Sequence, residues 1–180
     1  MNRARMPVVV GVVAGLLACA SPDPNARSKL SLPPGDTATF KPVGDFVAHR
    51  CGSLDCHGQV GRNFKVYGGD SLRLVTANNP QPITGNGDAD TQPEEYASTY
   101  ASLVDLEPEI ISDVVKSGGS SPDRLTFVRK MRGDEQHIGG KLVSAGDDMD
   151  TCMTSWLSGN VDTDACAKAE EAVGDLKFGR

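Results

Sequence analysis

Apolar positions along the chain cluster into groups that predict helices joined by long polar connections. A short helix is expected over residues 43–50, with Phe46 and Val47 on one face. Residues 63–76 alternate more like strand: Phe64, Val66 and Tyr67, then Gly68, Gly69 and Asp70, then Leu72 and Leu74, which predicts one small β-hairpin. Residues 76–91 are polar and rich in Asn, Gly and Pro, and read as a loop. Thr91, Pro93, Glu94 and Glu95 open a helix that carries Tyr96, Tyr100, Leu103 and Val104. Pro108 and Glu109 open the next, with Ile110, Ile111, Val114 and Val115 as its stripe and Gly118-Gly119 as its stop. Ser121-Pro122 opens a third short helix with Leu125, Val128 and Met131. The clearest stripe is the last: Met149, Cys152, Met153, Trp156 and Leu157 recur at helical spacing, Asp147 caps them and Gly159 ends them. The pattern predicts a mainly α fold: one small helical domain with long loops over residues 37–180, closing in a C-terminal tail.

The first 18 residues depart from this pattern. Arg3 and Arg5, with no acidic residue nearby, precede an apolar run over residues 8–18, a charged segment followed by a hydrophobic one of signal-peptide length. That run is too short for a comfortable transmembrane helix, and the chain has no second one, which excludes a polytopic membrane protein. It ends Leu16-Leu17-Ala18-Cys19, which resembles the lipobox of bacterial lipoproteins. The resemblance implies that Cys19 is the lipid anchor and mature N-terminus, and that the chain contacts a membrane through its lipid. Ala20, in place of an acidic residue, implies the outer membrane, facing the periplasm. An ordinary secretory signal with a cysteine by chance is the plainer alternative. Residues 19–36 contain Pro22, Pro24, Pro33 and Pro34 and read as a tether reaching about 50 Å if extended.

Charge narrows the function classes. The chain has 24 acidic and 18 basic residues; removing Arg3 and Arg5 with the signal leaves a net charge of −8. That balance disfavours a nucleic-acid binder. No serine stands in a G-x-S-x-G frame and no H-E-x-x-H occurs.

The chemistry concentrates in Cys51-Gly52-Ser53-Leu54-Asp55-Cys56-His57-Gly58. This segment resembles the haem attachment site of c-type cytochromes, in the minority form with four residues between the cysteines instead of two. In that family each thiol adds across a haem vinyl group as a thioether, and the histidine turns its imidazole to the iron. The resemblance therefore implies haem c bound through Cys51, Cys56 and His57. Gly52 and Ser53 are small enough to let the two extra residues loop out. Downstream, an apolar helix, Arg132-Gly133, His137-Ile138-Gly139-Gly140, Gly146-Asp147 and a tryptophan-bearing helix are similar to the C-terminal half of small cytochrome c-like domains, as in uncharacterised lipoproteins of myxobacterial type. The likeness spans residues 45–159 with sparse matched positions.

An electron carrier needs a second axial ligand to iron. His137, in a polar glycine-rich loop, is the first candidate and Met131 the second; an exposed loop histidine is the plain alternative for His137. Met149 and Met153 lie on the apolar stripe and read as core. His49 stands too close to the motif to reach the far face. Arg62 and Lys65 are in range of haem propionates, although solvent is their ordinary destination.

Cys152 and Cys166 would staple the tail to the last helix, a closure of about 15 residues contributing about 3 kcal/mol. Four cysteines allow three pairings; if Cys51 and Cys56 carry haem, Cys152–Cys166 remains. The leading expectation is a membrane-anchored periplasmic c-type cytochrome-like haem protein, an electron carrier more than an enzyme, with an unidentified redox partner protein. An open sixth position would instead permit peroxidase-type chemistry. The alternative is a haem-free, disulfide-stapled envelope lipoprotein with a binding or structural role, which requires a Cys51–Cys56 disulfide. A third is a zinc site built from Cys51, Cys56, His57 and His137.

Overall fold

The computed structural model describes residues 29–69, 71–75 and 90–174. Among these residues are six α-helices: α1 (Thr37–Cys51), α2 (Pro93–Val104), α3 (Pro108–Lys116), α4 (Thr126–Arg132), α5 (Asp148–Leu157) and α6 (Thr163–Gly174). A single 3-10 turn over Pro122–Arg124 leads into α4. The expected mainly α fold is the observed one. The expected signal, Cys19, residues 19–28 of the expected tether, the expected loop at 76–89 and residues 175–180 lie outside the described residues.

α1 begins well before the apolar pattern does. The Asp36 carboxylate accepts the Thr39 N–H at 3.0 Å and caps it. Pro42 sits inside the helix, where its missing N–H costs one early hydrogen bond. Packing compensates, because Phe40, Val43, Phe46 and Val47 are all buried. α5 is capped as the sequence indicates: Asp147 Oδ1 accepts the Asp150 N–H at 2.8 Å.

The β-hairpin does not form. The described part of residues 63–75 holds only an isolated bridge between Tyr67 and Leu72. The backbone N–H groups there go elsewhere: Lys65 to Ser102 Oγ at 2.7 Å, Tyr67 to Thr99 Oγ1 at 2.9 Å and Leu74 to Glu95 Oε1 at 3.1 Å. Side chains of α2 satisfy donors that a second strand would otherwise take. The alternating segment is thus an irregular strap laid along α2. Glu95, buried, also pairs with Arg73 Nε at 2.8 Å and holds the strap's far end.

The tail holds a sixth helix, α6, that the apolar pattern does not announce. Its buried positions are Ala165, Cys166 and Ala169, small residues that carry little hydrophobic signal. Asp162 Oδ1 accepts the Ala165 N–H at 2.9 Å to start it. A disulfide joins Cys152 of α5 to Cys166.

The core lies where α1, α2, α3 and α5 meet. Trp156 is fully buried, with its ring 5.4 Å from Phe40 and 6.1 Å from Tyr100. Its Nε1 donates to the Pro34 carbonyl at 2.8 Å, and Tyr100 Oη donates to the Pro33 carbonyl at 2.8 Å. Ser31 N donates to Ser112 Oγ at 2.9 Å, so the end of the expected tether lies on the domain. Arg132 closes the other side with a two-pronged pair to buried Asp150, at 2.8 and 2.9 Å.

Candidate functional site

Cys51 is the last residue of α1, so its thiol position is fixed by the helix that carries the core. The chain then winds into a tight loop. His57 N–H donates to the Cys51 carbonyl at 3.0 Å, and the Cys56 and Gly58 N–H groups donate to the Ser53 carbonyl at 2.9 and 3.0 Å. The two added residues of the motif are therefore absorbed within hydrogen-bonded turns. Gly52 and Gly58 are needed for close approach: a Cβ on Gly52 would strike Ser71 Oγ, and one on Gly58 would strike the Gly52 carbonyl.

Arg62 braces this loop. Its Nε donates to the Cys56 carbonyl at 2.9 Å and its Nη2 to the Asp55 carbonyl at 3.1 Å. These two main-chain carbonyls engage the guanidinium in the structure. His57 is held at three points. Its N–H meets Cys51, its carbonyl accepts the Val66 N–H at 2.9 Å, and its Nδ1 lies 3.0 Å from the Phe64 carbonyl. With Nδ1–H donating to that carbonyl, Nε2 is left unprotonated for a metal. Burial holds the imidazole below the ordinary histidine pKa. The Phe64 carbonyl opposes that shift, while His137 and Arg62 add to it. Burial also pushes the Cys51 thiol up to about 12, so it stands as a neutral thiol.

The facing wall comes from α4 and the loop after it. The Met131 carbonyl accepts both the Leu142 N–H at 2.8 Å and the Val143 N–H at 3.0 Å, closing residues 132–142 into a loop. His137 sits on this loop. Its ring centroid is 6.1 Å from that of His57, with planes only 13° apart. Its Nδ1 is buried and has no hydrogen-bond partner.

Between these walls is a cavity of about 750 Å³, lined by Cys51, Cys56, His57 and His137 together with apolar Val47, Leu103, Phe127, Met131 and Met153. Arg62, Lys130, Asp55 and Glu107 also line it. All four chemistry-bearing residues and Met131 thus meet at one cavity. His49 is not among its lining; it faces Glu170 of α6 at 3.6 Å. Met149 packs partly buried against the core. Cys51 and Cys56 are not joined to each other, whereas Cys152 and Cys166 are. Among the described residues no three His, Cys, Asp or Glu side chains converge tightly enough to hold one ion by themselves.

Sequence reasoning missed the Arg62 brace, the Phe64 carbonyl behind His57 and the Met131 carbonyl that closes the His137 loop. The last two are main-chain groups, which carry no residue signature. No family model, curated protein or solved structure matches the chain.

Proposed function

We propose that the protein is a c-type cytochrome-like haem protein of the cell envelope, lipid-anchored through Cys19, that acts in electron transfer. The observation that carries this reading is the pair of nearly parallel imidazoles 6.1 Å apart across a cavity that also holds both free cysteines. An imidazole nitrogen binds a transition metal at about 2.0 Å, so two rings that turn a nitrogen to one ion from opposite sides have centres roughly 6.2 Å apart; His57 and His137 already have that spacing but are stacked, so sharing an ion requires the rings to turn. The cavity falls within the ~300–1,000 Å³ typical of cofactor sites, and its walls are mostly apolar, as a porphyrin requires.

In this reading Cys51 and Cys56 would hold the haem through thioethers, each thiol supplying its sulfur and its proton to one vinyl group so that no oxidant would be consumed. His57, oriented by the Phe64 carbonyl, would hold the iron through its other ring nitrogen. His137 would be the partner ligand, and Met131, which lines the same cavity, would compete with it. The haem, when bound, provides a one-electron couple. Val47, Leu103, Phe127 and Met153 exclude water around it.

The test is the absorption spectrum of dithionite-reduced protein from a host with a cytochrome c maturation system, read with intact mass under denaturing conditions. Sharp reduced haem bands and a covalently retained haem mass are expected. A colourless protein with two disulfides, from a host in which a control cytochrome matures, would sink the reading in favour of the haem-free lipoprotein.

A further inference from the structure

The two histidines across the cavity are held very differently. His57 is bonded through its N–H and its carbonyl, and has Nδ1 on a backbone carbonyl. His137 has none of this support. Its Nδ1 is buried without a partner, and its carbonyl accepts only the N–H of Gly140, a turn within its own loop. Losing the partner behind a metal-ligating histidine costs ~10–100-fold in metal affinity.

The loop itself is weakly tied. Both of its ends are pinned near Met131, but from Gln136 to Lys141 its one hydrogen bond to other described residues is from Lys130 Nζ to the Gln136 carbonyl, at a long 3.5 Å. Ile138, the apolar residue next to the histidine, is 98% exposed and contributes no packing. Gly140 takes a left-handed φ of 69°, and nothing outside its chain neighbours lies within 4 Å of where a Cβ would stand, so this turn is not packed against the rest of the domain. Few buried contacts and few backbone bonds mark a segment that opens at low free-energy cost.

We infer that His137 is an exchangeable sixth ligand: its loop withdraws it, and the vacated position takes a small uncharged molecule of the carbon monoxide class. The inference rests on the haem reading above. The apolar walls formed by Phe127 and Met153 favour a neutral ligand over an anion, because the cations that line the cavity are already engaged, Arg62 by the Cys56 and Asp55 carbonyls and Lys130 by Glu135.

The test is carbon monoxide binding to the reduced, detergent-solubilised full-length protein, followed by the shift of its main haem band. Wild type is expected to convert fully, at a rate that levels off as carbon monoxide rises because departure of His137 limits it. His137→Ala is expected to bind without levelling off, roughly tenfold or more above the wild-type plateau. Met131→Leu is expected to behave as wild type. A wild-type spectrum unmoved under carbon monoxide while His137→Ala converts would overturn the exchange but leave the haem reading intact. Identical traces for wild type and His137→Ala, or loss of the plateau in Met131→Leu, would overturn the role of His137. Should His137→Ala fail to fold, the wild-type plateau and Met131→Leu still decide the matter. Absence of haem bands from every variant, with a control cytochrome matured, would remove both readings together.

Discussion

Arg62 and Gly58 hold the cysteine loop through main-chain contacts, so their substitution acts on geometry ahead of stability. In Gly58→Ala the new methyl meets the Gly52 carbonyl, a backbone atom that cannot rotate aside. Haem incorporation is expected to fall about tenfold by intact mass while far-ultraviolet dichroism stays near wild type; normal loading would mean the loop is not the attachment platform. Asp150 gives a purer stability effect. Asp150→Ala leaves Arg132, only 15% exposed, without its two-pronged partner, and a loss of about 3 kcal/mol is expected in urea unfolding. Tyr96 and Tyr100 add a pH dependence. Burial raises both phenols above the ordinary tyrosine value, and a hydrogen bond to Asp45 raises Tyr96 further. Folding therefore favours their protonated forms. Their contribution is fully present below about pH 10 and is lost as pH rises through the folded-state values. Tyr96→Phe is expected to flatten the alkaline limb of the stability curve, and phenolate absorbance at high pH checks the titration directly.

At the scale of elements, the disulfide between α5 and α6 invites the simplest experiment. The double variant Cys152→Ser, Cys166→Ser removes a cross-link of sequence separation 14 and is expected to lose about 3 kcal/mol, with α6 the first helix to exchange its amides. An unchanged melt would mean that packing alone holds α6. This element also marks the limit of what the chain reveals as text. α2, α3 and α5 are legible because large apolar residues recur at helical spacing and Pro or Asp stands at their starts. α6 is hidden because alanines form its buried face. The hairpin fails for a different reason: alternation in residues 63–75 reports an extended backbone, but its hydrogen-bond partners are Thr99, Ser102 and Glu95 on α2, which no local pattern encodes. The site divides the same way. Cys51, Cys56, His57 and His137 were visible as residue types. Their meeting at one cavity depends on the Met131 carbonyl folding the His137 loop back.

For the molecule as a whole, charge governs encounters. Arg62 and Lys130 line the cavity together with Asp55 and Glu107, which leaves the long-range field to the excess of 24 acidic over 18 basic residues. With the proposed haem in place, oxidation by a small anionic reagent is expected to speed up with ionic strength and oxidation by a cationic one to slow down. Slopes of opposite sign in stopped-flow measurements would show that the local basic pair dominates.

The way the N-terminal segment meets the domain also determines how the molecule bears force. Pro33 and Pro34 are gripped by Tyr100 of α2 and Trp156 of α5, and Ser31 by Ser112 of α3. A pull from the N-terminus is thus divided among three helices before it reaches α1. The helix that ends in Cys51 is shielded from such a pull, and the spacing between the two histidines is insulated from it.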